Sequence, residues 1–411
     1  MLGRLNAAGC DIVSDPESAD VMIVNTCGFI TDAKRESIKT ILEMARLKNG
    51  KKQLIVTGCL VQRYVDELRR ELPEVDAWVG VFGQEAIPEI IGVKSPQPSG
   101  KEPFRALTGP PHLAYLKIAE GCSRKCSFCA IPGIRGLQQS RPIDELVEEA
   151  AELASHGATE LILIAQDTTN YGKDLPGTPD LISLIQRLAA LREVRWIRIM
   201  YLYPTRVTRK LLEMIAGESK VCKYLDIPLQ HCQGDVLAAM RRGGDRMSTT
   251  KLIDKIRSVV PGIFLRSSFM VGFPTETQRR FKELVSFLRD ASIDHVGVFT
   301  YSREEGTEAW GLGDPVSQQE KRHRRSILMR VQNEISANIN RARIGEHHEA
   351  VVEGIGSNYY LCRISGQAPE IDGITRMRMS PDSDSRRLDP GDYVNVRITG
   401  ASAYDLRGVR Q

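Results

Sequence analysis

Cys122, Cys126 and Cys129 stand four and three residues apart in the stretch IAEGCSRKCSFCAIPGIRG. Zinc and 4Fe–4S clusters normally take four protein ligands, and this stretch offers three. Three readings follow. A zinc ion is completed by a distant Cys or His; the thiols are unrelated surface groups; or a 4Fe–4S cluster keeps one iron open. An open metal position is what a catalytic centre reserves for substrate or cofactor. Cys122 comes directly after the run LAYLKIA, read as a strand, and Arg124, Lys125 and Arg135 make the segment cationic, which suits thiolates. Placement and charge favour the third reading.

A second pair of cysteines sits at strand ends. Cys27 follows VMIVNT and Cys59 follows LIVTG. Taken singly, each reads as a small buried hydrophobe. Adjacent parallel strands end on the same side of a sheet, so the two thiols can share one cluster. Other polar groups fall where further strands stop. Gln166 lies in AQDTTNYG, Gly272 in MVGFPTE, and Gln230 and His231 in DIPLQHCQG. The first stretch is also compatible with an ordinary turn, and His231 with a satisfied structural histidine. No catalytic residue is assigned beyond the cluster ligands. Cys222, Cys232 and Cys362 read as packing residues.

The elements that position these groups are legible from periodicity. Residues 1–92 alternate short β-branched runs with helices, an α/β layer domain that opens on an apparent helix, MLGRLNAAG. The helix AKRESIKTILEMARLK turns Ile38, Ile41, Leu42 and Ala45 to one face. Residues 93–112 are rich in Pro, Gly and Ser and read as a linker. From 113 to 345, strands are expected at 113–119, 161–166, 196–203, 224–230, 263–273 and 295–302, separated by helices: a parallel partial barrel with its chemistry at the C-terminal strand ends. A helix at about 317–344 closes this part, with Ser317 and Glu320 in a capping-box pattern and KRHRR (321–325) read as a solvated face. Residues 346–411 alternate like a small all-β domain.

Composition sets bounds. The 411 residues carry a net charge of +4, too little to establish a nucleic-acid partner. No apolar run reaches the roughly 18 residues a membrane helix needs, and MLGRLNAAGC lacks the apolar core of a signal peptide. Nine cysteines, solitary or clustered, suit a reducing cytoplasm and metal ligation better than a disulfide framework.

CxxxCxxC after the first barrel strand, with Phe128 before the last cysteine, resembles the radical S-adenosylmethionine (SAM) superfamily. That resemblance implies that SAM chelates the open iron, is cleaved by one electron, and yields a radical that abstracts hydrogen from an unactivated C–H bond. It implies SAM contacts at Phe128, Gln166 and Gly272. NTCGFI, then TGC, then CxxxCxxC, then a β domain resembles the methylthiotransferase family over nearly the whole chain. The family implies a second 4Fe–4S cluster on three N-terminal cysteines, which carries the inserted sulfur. This sequence matches two of them, Cys27 and Cys59. It is read as a truncated N-terminal domain that begins inside the helix following the family's first strand and first cluster cysteine. Cys10 precedes DIV, read as the start of a strand roughly 17 Å long, and does not substitute.

YLKIAEGC, CAIPGIRG, AQDTTNYG, YLDIPLQH, FMVGFPTET and SREEGTEAW resemble the RimO-like branch, and residues 346–411 resemble its TRAM domain. The branch implies methylthiolation of an aspartate β-carbon in protein twelve of the small ribosomal subunit, contact with the ribosome or its RNA, an electron donor such as flavodoxin, and a cytoplasmic setting. Residues 346–411 hold eight arginines against ten carboxylates and no lysine. An RNA-gripping module should carry a basic excess, whereas a mildly acidic surface suits a basic protein partner. The alternatives are methylthiolation of a tRNA adenosine (the MiaB-like branch), SAM cleavage without sulfur transfer, and a non-catalytic ribosome-binding relative with a structural metal.

Overall fold

The computed structural model describes residues 1–48, 50–94, 105–379 and 387–411. The central part of the expected linker, residues 95–104, lies outside the described residues, as do 380–386. The chain divides into two compact units. The first gathers Met1–Thr108, Gly121–Leu137 and Ser302–Gly313; the second gathers Gly109–Glu120, Gln138–Tyr301 and Asp314–Gln411.

The first unit is built on a parallel sheet of β1 (Val21–Thr26), β2 (Gln53–Gly58) and β3 (Ala77–Val79), in that order. β2 is the central strand and reads as an unbroken apolar run because both its faces are covered. The helix Thr31–Arg46 buries Ile41 against Met22, Leu54 and Val56. Leu42, expected on the inner face, is exposed, and Met44 packs inward with Ile38 and Ala45. The helix Cys59–Glu71 covers the same core with Leu60, Val61 and Leu68. The opening helix is present at Leu2–Ala7. The strand expected at Asp11–Val13 is absent: these residues are irregular, with Ile12 and Val13 exposed. Cys10 packs beside Leu5, Val21, Ile55 and Val79, as a small hydrophobe in the sheet's core.

In the second unit, β4 (Leu113–Lys117), β7 (Glu160–Ile164), β8 (Trp196–Ile199), β9 (Val221–Asp226), β10 (Phe264–Val271) and β11 (His295–Thr300) form one parallel sheet in the order β11-β10-β9-β8-β7-β4. Chain order equals spatial order, as in an open barrel. A short antiparallel pair, β5 (Ala119–Glu120) with β6 (Gln139–Ser140), stands beside it in sequence. The intervening helices carry caps legible in the sequence. Asp180, Thr208, Asp245 and Thr277 each accept from a backbone N–H three residues on.

β8 stops at Ile199, four residues short of expectation. Tyr201 turns to φ +60° and donates its N–H to the Asp226 carboxylate at 3.3 Å instead of extending a ladder. β9 ends at Asp226, just before Pro228, which has no N–H to give.

The helix Gln318–Ala342 runs along β11. Ser317 caps it by accepting from the Glu320 N–H at 3.2 Å, while the Glu320 carboxylate pairs with Arg324 at 2.8 Å. KRHRR is not a solvated face. Lys321 and Arg324 are buried: Lys321 donates to the Tyr301 carbonyl at 2.8 Å, and Arg324 binds the Glu276 carboxylate at 2.6 Å. Only Arg322, His323 and Arg325 of the run are exposed. No helix among the described residues is long and apolar enough to cross a membrane.

β12 (His347–Ile355), β13 (Tyr359–Ile364), β14 (Thr375–Arg378), β15 (Tyr393–Ala401) and β16 (Leu406–Arg410) close into a five-stranded barrel. Its apolar interior is continuous with one face of the parallel sheet, where Ile162, Trp196 and Tyr224 meet Val351, Ile364 and Ala368.

Candidate functional site: two cysteine sets in one unit

β1 and β2 run parallel with Thr26 opposite Gly58, so Cys27 and Cys59 are the next residue on each strand. The glycines beside them permit the approach. Gly58 has φ +107°, and a Cβ there would run into the Thr26 carbonyl. A Cβ on Gly28 would lie 2.7 Å from the Cys59 carbonyl and the Leu60 backbone. Ser37 holds the first turn: its hydroxyl accepts from the Cys27 N–H at 3.0 Å and donates to the Cys27 carbonyl at 3.2 Å. Cys27 is exposed and Cys59 is buried.

The three-cysteine loop belongs to the same unit. It leaves β5 through Gly121, at φ +74°, where any side chain would collide with the Leu137 carbonyl. The loop closes on itself through Cys122 N–H to the Gly136 carbonyl and Cys129 N–H to the Cys126 carbonyl, both 3.1 Å. It then folds into the short helix Ile131–Arg135, whose Ile134 packs with Ala130 on Cys59. The Arg135 guanidinium donates to Cys59 Sγ at 3.2 Å, and the Arg124 N–H to Cys122 Sγ at 3.4 Å. Such N–H···S contacts are what tune iron–sulfur ligands. Phe128 is half-buried in this loop. Among the described residues no three His, Cys, Asp or Glu side chains converge as a ready metal-holding group. The fit to a cluster is therefore one of donor chemistry and chain placement. All five cysteines named from sequence, and Phe128, fall in this unit.

Sequence reasoning missed the group that ties this unit together. Glu304, from SREEGTEAW, is 2% exposed. It binds Lys34 at 2.8 Å, Ser302 at 2.7 Å, Thr31 and Arg63 both at 3.2 Å. Arg63 also donates to the Gly28 carbonyl, next to Cys27, at 2.6 Å. Burial alone would raise the Glu304 pKa; Lys34, Ser302 and Arg63 more than offset this and hold it below the usual range. The acidic pair in the sequence was the available signal, but its partners lie some 240 to 270 positions away. Glu304→Ala strands two partly buried cations. It is expected to cost the first unit about 3 kcal/mol, read as faster hydrogen exchange in the segments around Cys27 and Arg63.

In the second unit Gln166 follows β7. Its Nε2 donates to Glu120 at 3.3 Å, while its Oε1 is buried without a hydrogen-bond partner among the described residues. Gly272, at φ +75°, gives room to the Lys321 stem, into which a Cβ would run. Its N–H donates to Glu276 at 2.9 Å. His231 is the satisfied structural histidine. It is wholly buried, its Nδ1 accepts from the Gln233 N–H at 3.0 Å, and its Nε2 lies 3.1 Å from Glu276. Cys222, Cys232 and Cys362 are buried, and burial pushes each thiol up to about 12.

Three family patterns match. The uncharacterized protein family UPF0004 covers residues 1–80, the radical SAM superfamily 116–288, and the TRAM domain 344–410. The chain is 46% identical to the ribosomal protein uS12 methylthiotransferase RimO of Desulforudis audaxviator, over 99% of this chain and 92% of the relative. It is 45% identical to the RimO of Aquifex aeolicus, with the same coverage, and 45% to that of Geobacter sulfurreducens, over 99% and 94%. The chain belongs to the RimO methylthiotransferase family. As a RimO-family member it is a radical SAM enzyme, working with an iron–sulfur cluster and SAM. Among solved structures, the radical SAM methyltransferase TsrM of Kitasatospora setae matches with a TM-score of 0.51 at 15% identity, over 74% of this chain and 67% of that one. That likeness shows the fold the RimO-family chain shares with it.

Proposed function

We propose that this chain replaces a β-carbon hydrogen of an aspartate in ribosomal protein uS12 with a methylthio group. One observation carries the reading. The loop with Cys122, Cys126 and Cys129 packs on the turn that opens with Cys59, so both cysteine sets belong to one unit. The substrate follows from the relatives' shared name and near-complete coverage.

Cys122, Cys126 and Cys129 would hold a 4Fe–4S cluster, leaving one iron for SAM; Cys27 and Cys59 would supply two ligands to a second, sulfur-bearing cluster. When bound, the cluster and SAM supply one-electron cleavage of the sulfonium and abstraction of a C–H hydrogen. The chain's own residues hold the geometry. Gly121 and the Gly136 carbonyl shape the loop, and Arg135 fixes it to Cys59. Ser37, and Arg63 braced by Glu304, fix the turn bearing Cys27. Gln166, whose Oε1 is buried without a hydrogen-bond partner among the described residues, is one proposed SAM contact. Phe128 and Gly272 are the other proposed SAM contacts.

The test is direct. The chain, reconstituted anaerobically with iron and sulfide and given SAM, a reductant such as reduced flavodoxin, and either uS12 or tRNA, is expected to add a methylthio mass to uS12 alone. Product on tRNA and none on uS12 would replace this reading with the tRNA one.

A further inference from the structure

One face of the parallel sheet carries a cluster that cofactor chemistry leaves unused. The loop joining β13 to β14 enters it. Gly366 packs where any side chain would strike the Phe264 ring, and its carbonyl lies 3.0 Å from His295 Nε2. Asp372 accepts from Arg266 at 2.6 Å, from the Tyr224 hydroxyl at 2.8 Å and from the Ala368 N–H at 2.9 Å. The loop's base is thus clamped to β9, β10 and β11. Its tip is not: Glu370 and Ile371 are exposed, and Glu370 makes no hydrogen bond or ion pair among the described residues. Glu370 is also held at φ +67°, a conformation that persists in a non-glycine residue only where its surroundings impose it. Its charge reaches the β4 edge. Tyr115 has its pKa raised first by burial and next by Glu370.

Two large aromatic side chains lie open around Arg266. Phe299, on β11, is 53% exposed. Its ring comes within 3.5 Å of the point a Gly297 Cβ would occupy, with Arg266 Nη2 3.8 Å from that same point. Tyr201 is 45% exposed and, like Glu370, has a positive φ. Arg266 is already neutralised. It binds Asp372 and approaches Asp226 at 4.0 Å, and His295 Nδ1 stands 3.5 Å from Asp372. Burial pushes the Asp226 carboxyl up to about 6, against the pull of Arg266. Among the described residues, Glu370 adds an exposed, unpaired negative charge to this face. A carboxylate or a phosphate is not drawn to it, whereas a lysine or arginine is. Its long stem can lie on Tyr201 or Phe299, with the charged head over a ring face.

We propose that this face, closed by the loop 366–372, seats a basic segment of uS12, and that Glu370 reads a lysine or arginine near the target aspartate. The inference rests on the uS12 reading above. It assigns Glu370 as a specificity-determining residue, with Tyr201 and Phe299 as the walls of its seat.

The experiment measures fluorescence anisotropy of a labelled peptide, about twenty residues of uS12 centred on the modified aspartate, with the purified full chain. A second set of peptides replaces each Lys or Arg in turn by Glu. Glu370→Lys is expected to weaken the native peptide about tenfold and to restore tight binding to one charge-reversed peptide only. Glu370→Gln should give an intermediate loss, and circular dichroism checks that both variants fold. Equal binding by all three chains, or an equal response to every charge reversal, overturns the inference. So does tRNA displacing the peptide from Glu370→Gln and native chain alike. If the peptide distinguishes the variants while the reconstituted chain modifies only tRNA, the uS12 function fails. If uS12 is modified and the variants bind alike, the Glu370 assignment alone fails.

Discussion

A Cys126→Ala chain, reconstituted with iron and sulfide, should lose SAM cleavage by about a thousandfold or more, because it lacks one of the three thiolates proposed to seat the cluster. Iron and sulfide content should fall, and added SAM should no longer perturb the spectrum of any iron–sulfur chromophore that remains. Cys27→Ala is the informative partner. It removes a thiol from the other set, at the end of β1, and leaves the loop's own hydrogen bonds untouched. That variant is expected to release deoxyadenosine at near the native rate while methylthio product falls to background. If Cys27→Ala and Cys126→Ala abolish SAM cleavage equally, the two sets do not divide the chemistry, and the assignment of roles fails.

The cysteine loop was legible because its signal is local. Three thiols within eight residues, after a strand and among cations, need no knowledge of distant contacts. The pairing of Cys27 with Cys59 needed one further step, that strands adjacent in sequence are adjacent in space, and the register of β1 and β2 agrees with it. What was not legible is long-range. Nothing near Glu304 announces Lys34 and Arg63 as partners. KRHRR reads as a solvated face because a run of cations usually is one. Lys321 and Arg324 are buried because Asp314, the Tyr301 carbonyl and Glu276 meet them there. The early end of β8 has the same origin. Periodicity continued through Met200–Tyr203, but Asp226 captured the Tyr201 N–H. A side chain from the next strand decided where the ladder stopped.

The same blindness hid the charges that join the parallel sheet to the small barrel. Glu160 opens β7 inside an otherwise apolar run, and nothing local explains it. In the structure it is fully buried between Arg198 at 2.9 Å and Arg363 at 2.5 Å, and Arg363 continues to Glu353, which His112 Nε2 approaches at 3.0 Å. Burial alone would raise the Glu160 pKa; Arg198 and Arg363 more than offset it, so the carboxyl sits below its ordinary value. Arg198 further donates to the Ser365 carbonyl and Arg363 to that of Gln367, at the base of the loop that carries Glu370. A buried ion network of this kind is weak evidence of net stability, but breaking it from one side leaves cations without a counter-charge. Glu160→Ala should therefore lower the opening free energy of β7, β8 and β13 by about 3–5 kcal/mol, measured by amide hydrogen exchange. Glu160→Gln should cost less, since its amide oxygen still accepts from one of the two arginines. The pH dependence has a definite sign. A carboxyl whose pKa is depressed by folding contributes its full stabilisation above the unfolded value, about 4.3, and loses it as pH falls through the folded one. The difference between native and Glu160→Gln chains should hold constant from pH 8 to about pH 5 and narrow below about pH 4.3. A gap that stays constant into that acid range would mean that Glu160 acts through its shape and not its charge.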